Sequence, residues 1–226
     1  MIDLHTHILP GIDDGAQTIE DSLDLLRIQI ACGVDTVALT PHFKLSASEQ
    51  QDFLERRQIA YNALCAAVEK HGLPIKLILG TEVMFTNLLE LDLDPLCYEG
   101  TKTILVELPM DRQPLYTQDI LYRIQLDGYT PLIAHAERYK YFSRSPDILE
   151  KLTRSGALIQ VNANGLLKPG KTRRRILKMI SSGYVHVLAT DTHSVEMRPP
   201  KLDKAVKVIE KKLGTETAQR LVNFEL

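Results

Sequence analysis

Cysteine is scarce, neither sign of charge is in excess, and no long apolar run or flexible linker interrupts the chain. The three cysteines, Cys32, Cys65 and Cys97, are odd in number and widely spaced. That excludes a disulfide framework and fits a reducing cytoplasm. The 27 basic and 29 acidic side chains leave a formal charge of −2. A dedicated nucleic-acid or membrane-surface binder needs a clear basic excess, because it must neutralise phosphates. No run approaches the ~20 apolar residues of a membrane span, so insertion into a bilayer is not expected. The opening residues, MIDLHTH, lack the basic-then-apolar pattern of a secretory leader. No stretch rich in Pro, Gly or Ser marks a boundary, so residues 1–226 read as a single domain able to bury a full core.

What is present is a repeat. β-branched or aliphatic runs at 2–5, 36–40, 75–79, 103–107, 130–134, 157–161 and 185–190 are each followed by a polar turn and a helical pattern. From the third onward their starts lie roughly 27 residues apart, close to the ~30 of a βαβ unit. Helices are predicted over 18–31, 49–71, 117–127, 147–155 and 172–182, with one or two more over 200–222. Thr18 is placed to cap the first, with Asp21 three residues on. Pro146 precedes the fourth, and glycines follow the ends of all five. Seven strands alternating with helices predict an α/β fold on a parallel sheet. Such a sheet either closes into a barrel or stays open and doubly wound.

The placement of His, Asp and Glu favours the barrel. The first strand supplies His5 and His7, at a spacing that lets both grip one ion. Strict alternation would put Asp3 on the same side, where it could orient an imidazole. Asp14 lies in the next loop, GIDDG. His42 follows the second strand, Glu82 the third, Glu107 closes the fourth and His135 follows the fifth. Asp191 and His193 follow the seventh, again two apart. Six of seven predicted strands thus deliver such a residue at the carboxyl end. In a barrel those ends ring one face, where the active site lies. An open sheet would spread them along a line. One histidine at a strand end is usually structural; nine candidates at equivalent positions point to metal.

The charges specify what the site would hold. Asp14, Glu82, Glu107 and Asp191 bring −4, whereas the histidines ligate as neutral imidazoles. Without a cation the four carboxylates would repel one another. One ion cannot use nine ligands, but two or three can if a carboxylate such as Glu82 bridges. Three divalent ions would leave the site near +2, suited to a phosphate monoester dianion. Imidazole and carboxylate without thiolate suit Mn, Fe or Zn. Arg138, three residues after His135, and Arg198, five after His193, could clamp phosphoryl oxygens with their planar guanidinium groups.

These residues resemble the polymerase-and-histidinol-phosphatase (PHP) superfamily. Within it, the chain looks most like the manganese-dependent bacterial protein-tyrosine phosphatases of capsule and exopolysaccharide loci. The resemblance runs through MIDLHTHILPGIDDGA, TPH, GTEV, VELP, AHAERY and ATDTH, and the DDGA segment is its most discriminating part. It implies a distorted TIM-like barrel, (β/α)7, holding three divalent ions, Mn2+ in first place. One ion would be held by His5, His7, Glu82 and Asp191, a second by Glu82, Glu107 and His135, and a third by Asp14, His42 and His193. Arg138 and Arg198 match the substrate-binding arginines. The implied substrate is phosphotyrosine on the tail of a cognate bacterial tyrosine kinase, and the implied site of action is the cytoplasm. Homo-oligomers are allowed by the resemblance, and neither nucleic acid nor membrane insertion is expected.

The expected chemistry is direct attack on phosphorus by a metal-bound hydroxide, with no phosphoenzyme. A cysteine-dependent phosphatase would need an arginine six positions after its thiol, and those positions hold Ala38, His71 and Thr103. Within the superfamily, the alternative is a small-molecule phosphatase acting on a substrate such as histidinol phosphate. Outside it, the alternatives are a noncatalytic metal-binding scaffold and a nucleotide hydrolase. The last rests on residues 165–172, which fit the phosphate-loop pattern G-x-x-x-x-G-K-[ST]. The basic cluster Lys168, Lys171 and Arg173 to Arg175 reads as a solvated helix start, or as a rim for an acidic phosphopeptide.

Overall fold

A computed structural model describes residues 1–145 and 147–226, so the helix start read at Pro146 lies outside the described residues. The architecture is mixed α/β, built on parallel sheets. Strands β1 (Ile2–Thr6), β2 (Thr36–Leu39) and β4 (Lys76–Leu79) form one sheet in the order β1-β2-β4. The other runs β3 (His42–Phe43), β5 (Glu82–Met84), β6 (Thr103–Glu107), β7 (Thr130–Ile133), β8 (Leu158–Asn162) and β9 (Val187–Ala189), in that order. Every pairing between these strands is parallel. Backbone bonds also join the end of β1 to the segment just past β9: Asp191 N donates to His5 O at 2.8 Å and His7 N to Thr192 O at 2.9 Å.

The seven expected strands become nine because two of them break and resume. Pro41, which has no N–H, interrupts the second after Thr40, and Gly80–Thr81 interrupts the third. His42 and Glu82 therefore open short strands of their own, paired to each other in register. The second break is held by Arg57. Its buried guanidinium donates to Gly80 O at 3.2 Å, to Thr81 Oγ1, and to Pro95 O at 2.6 Å.

Around the strands lie α1 (Ile19–Ala31), α2 (Gln50–Lys70), α3 (Thr117–Leu126), α4 (Lys140–Arg144), α5 (Asp147–Arg154), α6 (Asn164–Leu167), α7 (Lys171–Ser181), α8 (Leu202–Leu213) and α9 (Thr215–Val222). Thr18 and Asp21 form the expected capping box on α1. Gly33 and Gly156, just past α1 and α5, take φ of +82° and +95°, conformations costly for other residues. The two short helices α4 and α6 carry no sequence periodicity of their own and were not expected.

Alternate strand residues enter different cores. Ile104, Val106 and Ile133 pack in the large cluster that includes helix residues, whereas Leu105 and Leu132 join Leu4, Ala38 and Ala189 in a smaller one. That smaller cluster draws on strands from both sheets, so their inward faces meet. Tyr98 is buried there and donates through its hydroxyl to Leu4 O at 2.7 Å. The strand ends that bear the ligand-type residues all lie at one end of this inner core.

Candidate metal centre

The first strand breaks strict alternation. Its register with β2 shifts between Asp3 and Thr6. Among the described residues, Asp3 makes no hydrogen bond or ion pair to an imidazole ring. Its carboxylate accepts from Gln29 Nε2 at 2.5 Å, from Thr190 Oγ1 at 2.5 Å and from Thr190 N at 2.9 Å. His5 and His7 point instead to the common centre, their Nε2 atoms 3.1 Å apart.

All nine ligand-type residues read from the sequence converge there. Glu82 sits in the middle. Its Oε2 lies 3.3 Å from His5 Nε2, 3.4 Å from His7 Nε2 and 2.8 Å from His42 Nδ1, and its Oε1 lies 2.9 Å from His135 Nε2. Asp191 Oδ1 is 3.3 Å from His7 Nε2 and 3.5 Å from His193 Nδ1. Glu107 closes one side, 3.6 Å from His135 and 3.7 Å from His42. Asp14 closes another, 3.5 Å from His193 Nε2 and 3.6 Å from His42 Nε2. Three overlapping groups have ligand atoms within 4.8 Å of one another: His7, Asp14, His42 and His193; His5, His7 and Glu82; and His42, Glu82 and Glu107.

The donor set fits divalent cations. His42 Nδ1, Glu82 Oε2, Glu107 Oε2, His135 Nδ1 and His193 Nε2 are buried, and among the described residues none makes an aligned hydrogen bond. Buried polar atoms seldom go without partners. Atoms that approach as closely as His42 Nδ1 and Glu82 Oε2 without bonding are placed as ligands around an ion would be. Burial opposes ionisation of Glu82, but the imidazoles of His5, His135 and His42 outweigh it and hold its carboxyl well below the usual range. Asp191 is likewise opposed by burial, yet His5, His7 and Arg138 hold its carboxyl low. Burial, then the neighbouring His7, pushes His193 down to about 4 and keeps its imidazole neutral. Glu82 and Asp191 are thus held charged and the His193 imidazole proton-free, the states that ligate metal.

Both arginines reach this centre through Asp191. Arg138 Nη2 donates to Asp191 Oδ2, and Arg198 Nη1 lies 3.6 Å from the same oxygen. Arg198 also reaches Asp14, at 3.8 Å.

Several residues at the centre escaped the sequence reading. Asp13 rather than Asp3 orients an imidazole: its Oδ2 is 2.6 Å from His7 Nδ1 and accepts from His42 N at 2.9 Å. The doubled aspartate in GIDDG was the available signal. Strand β8, the one without a His, Asp or Glu at its end, contributes two amides. Gln160 Oε1 lies 3.2 Å from His5 Nδ1 and accepts from His135 N at 2.6 Å. Asn162 Nδ2 donates to Asp191 Oδ2 at 2.8 Å. Lys44, 3.3 Å from Glu107 Oε2, borders the centre. No sequence signal marked these neutral amides or this lysine.

The nucleotide-loop pattern folds differently. Gly165 lies inside α6, where an added Cβ would sit 2.5 Å from Ile176 Cδ1. That glycine serves helix packing, not a backbone cradle for phosphate.

The family model for capsular polysaccharide synthesis, CpsB/CapC, matches residues 1–224. The tyrosine-protein phosphatase YwqE of Bacillus subtilis is 33% identical, with the match covering 100% of this chain and 91% of that protein. The putative tyrosine-protein phosphatase CapC of Staphylococcus aureus is 34% identical over 88% of this chain and 79% of its own length. Among solved structures, one from work on YwqE and on CpsB of Streptococcus pneumoniae, described as unique metal-dependent tyrosine phosphatases, superposes with a TM-score of 0.84. It is 29% identical and the match covers 100% of this chain and 96% of that one. A lactonase from Listeria monocytogenes, 12% identical, shares the fold at a TM-score of 0.62, over 100% of this chain and 95% of its own. The chain belongs to the CpsB/CapC family of capsular polysaccharide synthesis.

Proposed function

We propose that this chain is a metal-dependent phosphotyrosine-protein phosphatase. The observation that carries the reading is the convergence of nine ligand-type side chains on one centre, all but the exposed Asp14 buried or half-buried, with Arg138 and Arg198 both directed at its Asp191. The backbone bonds from the end of β1 to the segment just past β9, with the shared inner cluster, support a distorted TIM-like barrel of seven units as the frame. The donor chemistry supports three divalent ions, Mn2+ in first place with Fe or Zn as alternatives. His5, His7, Glu82 and Asp191 would hold one, Glu82, Glu107 and His135 another, and Asp14, His42 and His193 the third. Bound there, such ions would supply Lewis-acid charge and lower the pKa of water toward neutrality.

The chain's own residues supply orientation and charge. Arg138 and Arg198 would exchange Asp191 for phosphoryl oxygens, binding their charge through the guanidinium fork. Asp13 fixes the His7 ring, Gln160 the His5 ring, and Asn162 the Asp191 carboxylate. No thiol attacks phosphorus. Burial pushes the Cys32 and Cys97 thiols up to about 11, and neither cysteine takes part in the cluster. The hydrolysis we infer has no phosphocysteine intermediate. The substrate we infer is phosphotyrosine on a bacterial tyrosine kinase tail governing capsular or exopolysaccharide synthesis. The scarce, unpaired cysteines support a cytoplasmic setting.

One activity panel tests this reading: phosphotyrosyl peptide, phosphoseryl peptide, histidinol phosphate and ATP, each with manganese and with chelator. Turnover of the phosphotyrosyl peptide in manganese, lost on chelation, is the expected result. Preference for histidinol phosphate, activity surviving chelation, or a covalent phosphoprotein trapped by rapid quench would overturn it.

A further inference from the structure

Helix α7 carries Lys171, Arg173, Arg174, Arg175 and Lys178 and no acidic residue, and Lys168 precedes it. Among the described residues, none of these six cations comes within ion-pair distance of a carboxylate. On neighbouring α5, by contrast, Lys151 pairs with Asp147 at 3.1 Å and Arg154 with Glu150 at 2.8 Å. Cations in a first helical turn also oppose the helix dipole. In a chain of net charge −2, an unneutralised basic helix requires an explanation outside the fold.

The helix borders a groove. A cavity of about 290 Å³ opens between α7 on one side and Phe142 of α4 and Leu149 of α5 on the other. Phe142, Leu149, Met179 and Tyr184 form its apolar floor, and Arg174 and Lys178 stand exposed on its rim. One rim residue, Arg175, ties the helix to the chain beside the candidate active site. Arg175 Nη1 donates to Glu137 O at 2.6 Å, the residue before Arg138. The chain that carries Arg138 continues directly into α4, which supplies Phe142. The 11 residues of α7 span roughly 16 Å, the reach of about five extended peptide residues.

We infer that this groove seats the acidic residues flanking the phosphotyrosine of a protein substrate, with one apolar side chain on its floor. The inference rests on the phosphatase reading above and adds to it a sequence preference. An acidic peptide answers both features, because its carboxylates meet the rim while an aliphatic or aromatic neighbour fills the floor. A nucleic acid would use the cations and leave the apolar floor unfilled.

Steady-state kinetics on the manganese-loaded chain test it. Two phosphotyrosyl peptides are compared, one with Asp and Glu on both flanks and one with Ser and Gly, beside 4-nitrophenyl phosphate as a measure of the centre alone. At low salt the acidic peptide is expected to have a kcat/KM about tenfold higher, the effect of two or three exposed charge pairs. Arg174→Glu with Lys178→Glu should bring that ratio to one or below. Lys211→Glu with Lys212→Glu, an equal change of net charge on α8, should preserve it. Equal kcat/KM for the two peptides in the unaltered chain, or a ratio that survives the α7 double variant, would overturn the inference. So would an oligonucleotide or anionic vesicle whose binding the α7 variant abolishes while the peptides are not discriminated. Failure of the phosphatase reading looks different: neither peptide nor 4-nitrophenyl phosphate would turn over.

Discussion

The Nδ1 atom of His7 and the Oδ2 atom of Asp13 lie 2.6 Å apart, which commits the opposite ring nitrogen of His7 to the metal centre. Burial disfavours a charged His7, but its contacts with Asp13, Asp191 and Glu82 outweigh that and raise its pKa well above the usual imidazole value. A carboxylate behind a ligating imidazole fixes the ring and increases its basicity. Asp13→Asn keeps the shape and removes the charge. Manganese affinity should fall about 10- to 100-fold, the usual range for such partners, as read by titration calorimetry. An unchanged affinity would deny Asp13 this role.

Gly15 is required by close approach. An added Cβ would lie 1.9 Å from His7 O and 2.6 Å from His7 Cβ. The loop cannot yield locally, because Ala16 N bonds His7 O at 2.9 Å and Gly15 N bonds Asp13 Oδ1 at 2.9 Å. Gly15→Ala should cost about 1–3 kcal/mol of stability through overpacking and displace Asp13 and Asp14 together. Denaturant unfolding and manganese titration on the same variant check this: stability and affinity should fall together.

Arg138 donates to Asp191 through one arm of a planar fork. Arg138→Lys preserves the charge but not two-point recognition of phosphoryl oxygens. We expect kcat/KM toward phosphotyrosyl peptide to fall about 10²-fold, the scale of one lost charge-stabilising donor, with manganese content unchanged by elemental analysis. Retained kcat/KM would remove Arg138 from the substrate clamp.

Cys32 and Cys97 are held as thiols, pushed up to about 11 mainly by burial. Alkylation at neutral pH should therefore be slow and leave activity intact. The same shifts set an alkaline limit. An unfolded thiol ionises near pH 9 while the folded one keeps its proton to about pH 11, so the folded state binds more protons in that window. Their contribution is complete below about pH 9 and is lost as pH rises toward about 11. Unfolding midpoints should drop across that interval, and substitution of both cysteines by Ser should flatten the drop.

Local chemistry made much of this protein legible in its sequence. The alternating strand and helix patterns, the Thr18–Asp21 capping box and the glycines past α1, α2, α3, α5 and α7 act over a few residues, where neighbouring side chains decide the outcome. Positions at strand ends are equally local, so His5, His7, Asp14, His42, Glu82, Glu107, His135, Asp191 and His193 could be singled out before any distance was known. Tertiary structure decided what depends on meetings between distant segments. It bent β1 so that Asp3 faces Gln29 and Thr190 while Asp13 takes the imidazole. It brought Gln160 and Asn162, which carry no charge signal, to His5 and Asp191. It set Arg175 of α7 against Glu137, the neighbour of Arg138, across a gap of 38 residues. The physical reason is the same in each case. A sequence pattern records what a residue and its near neighbours favour, whereas a hydrogen bond across many residues depends on how whole strands and helices pack.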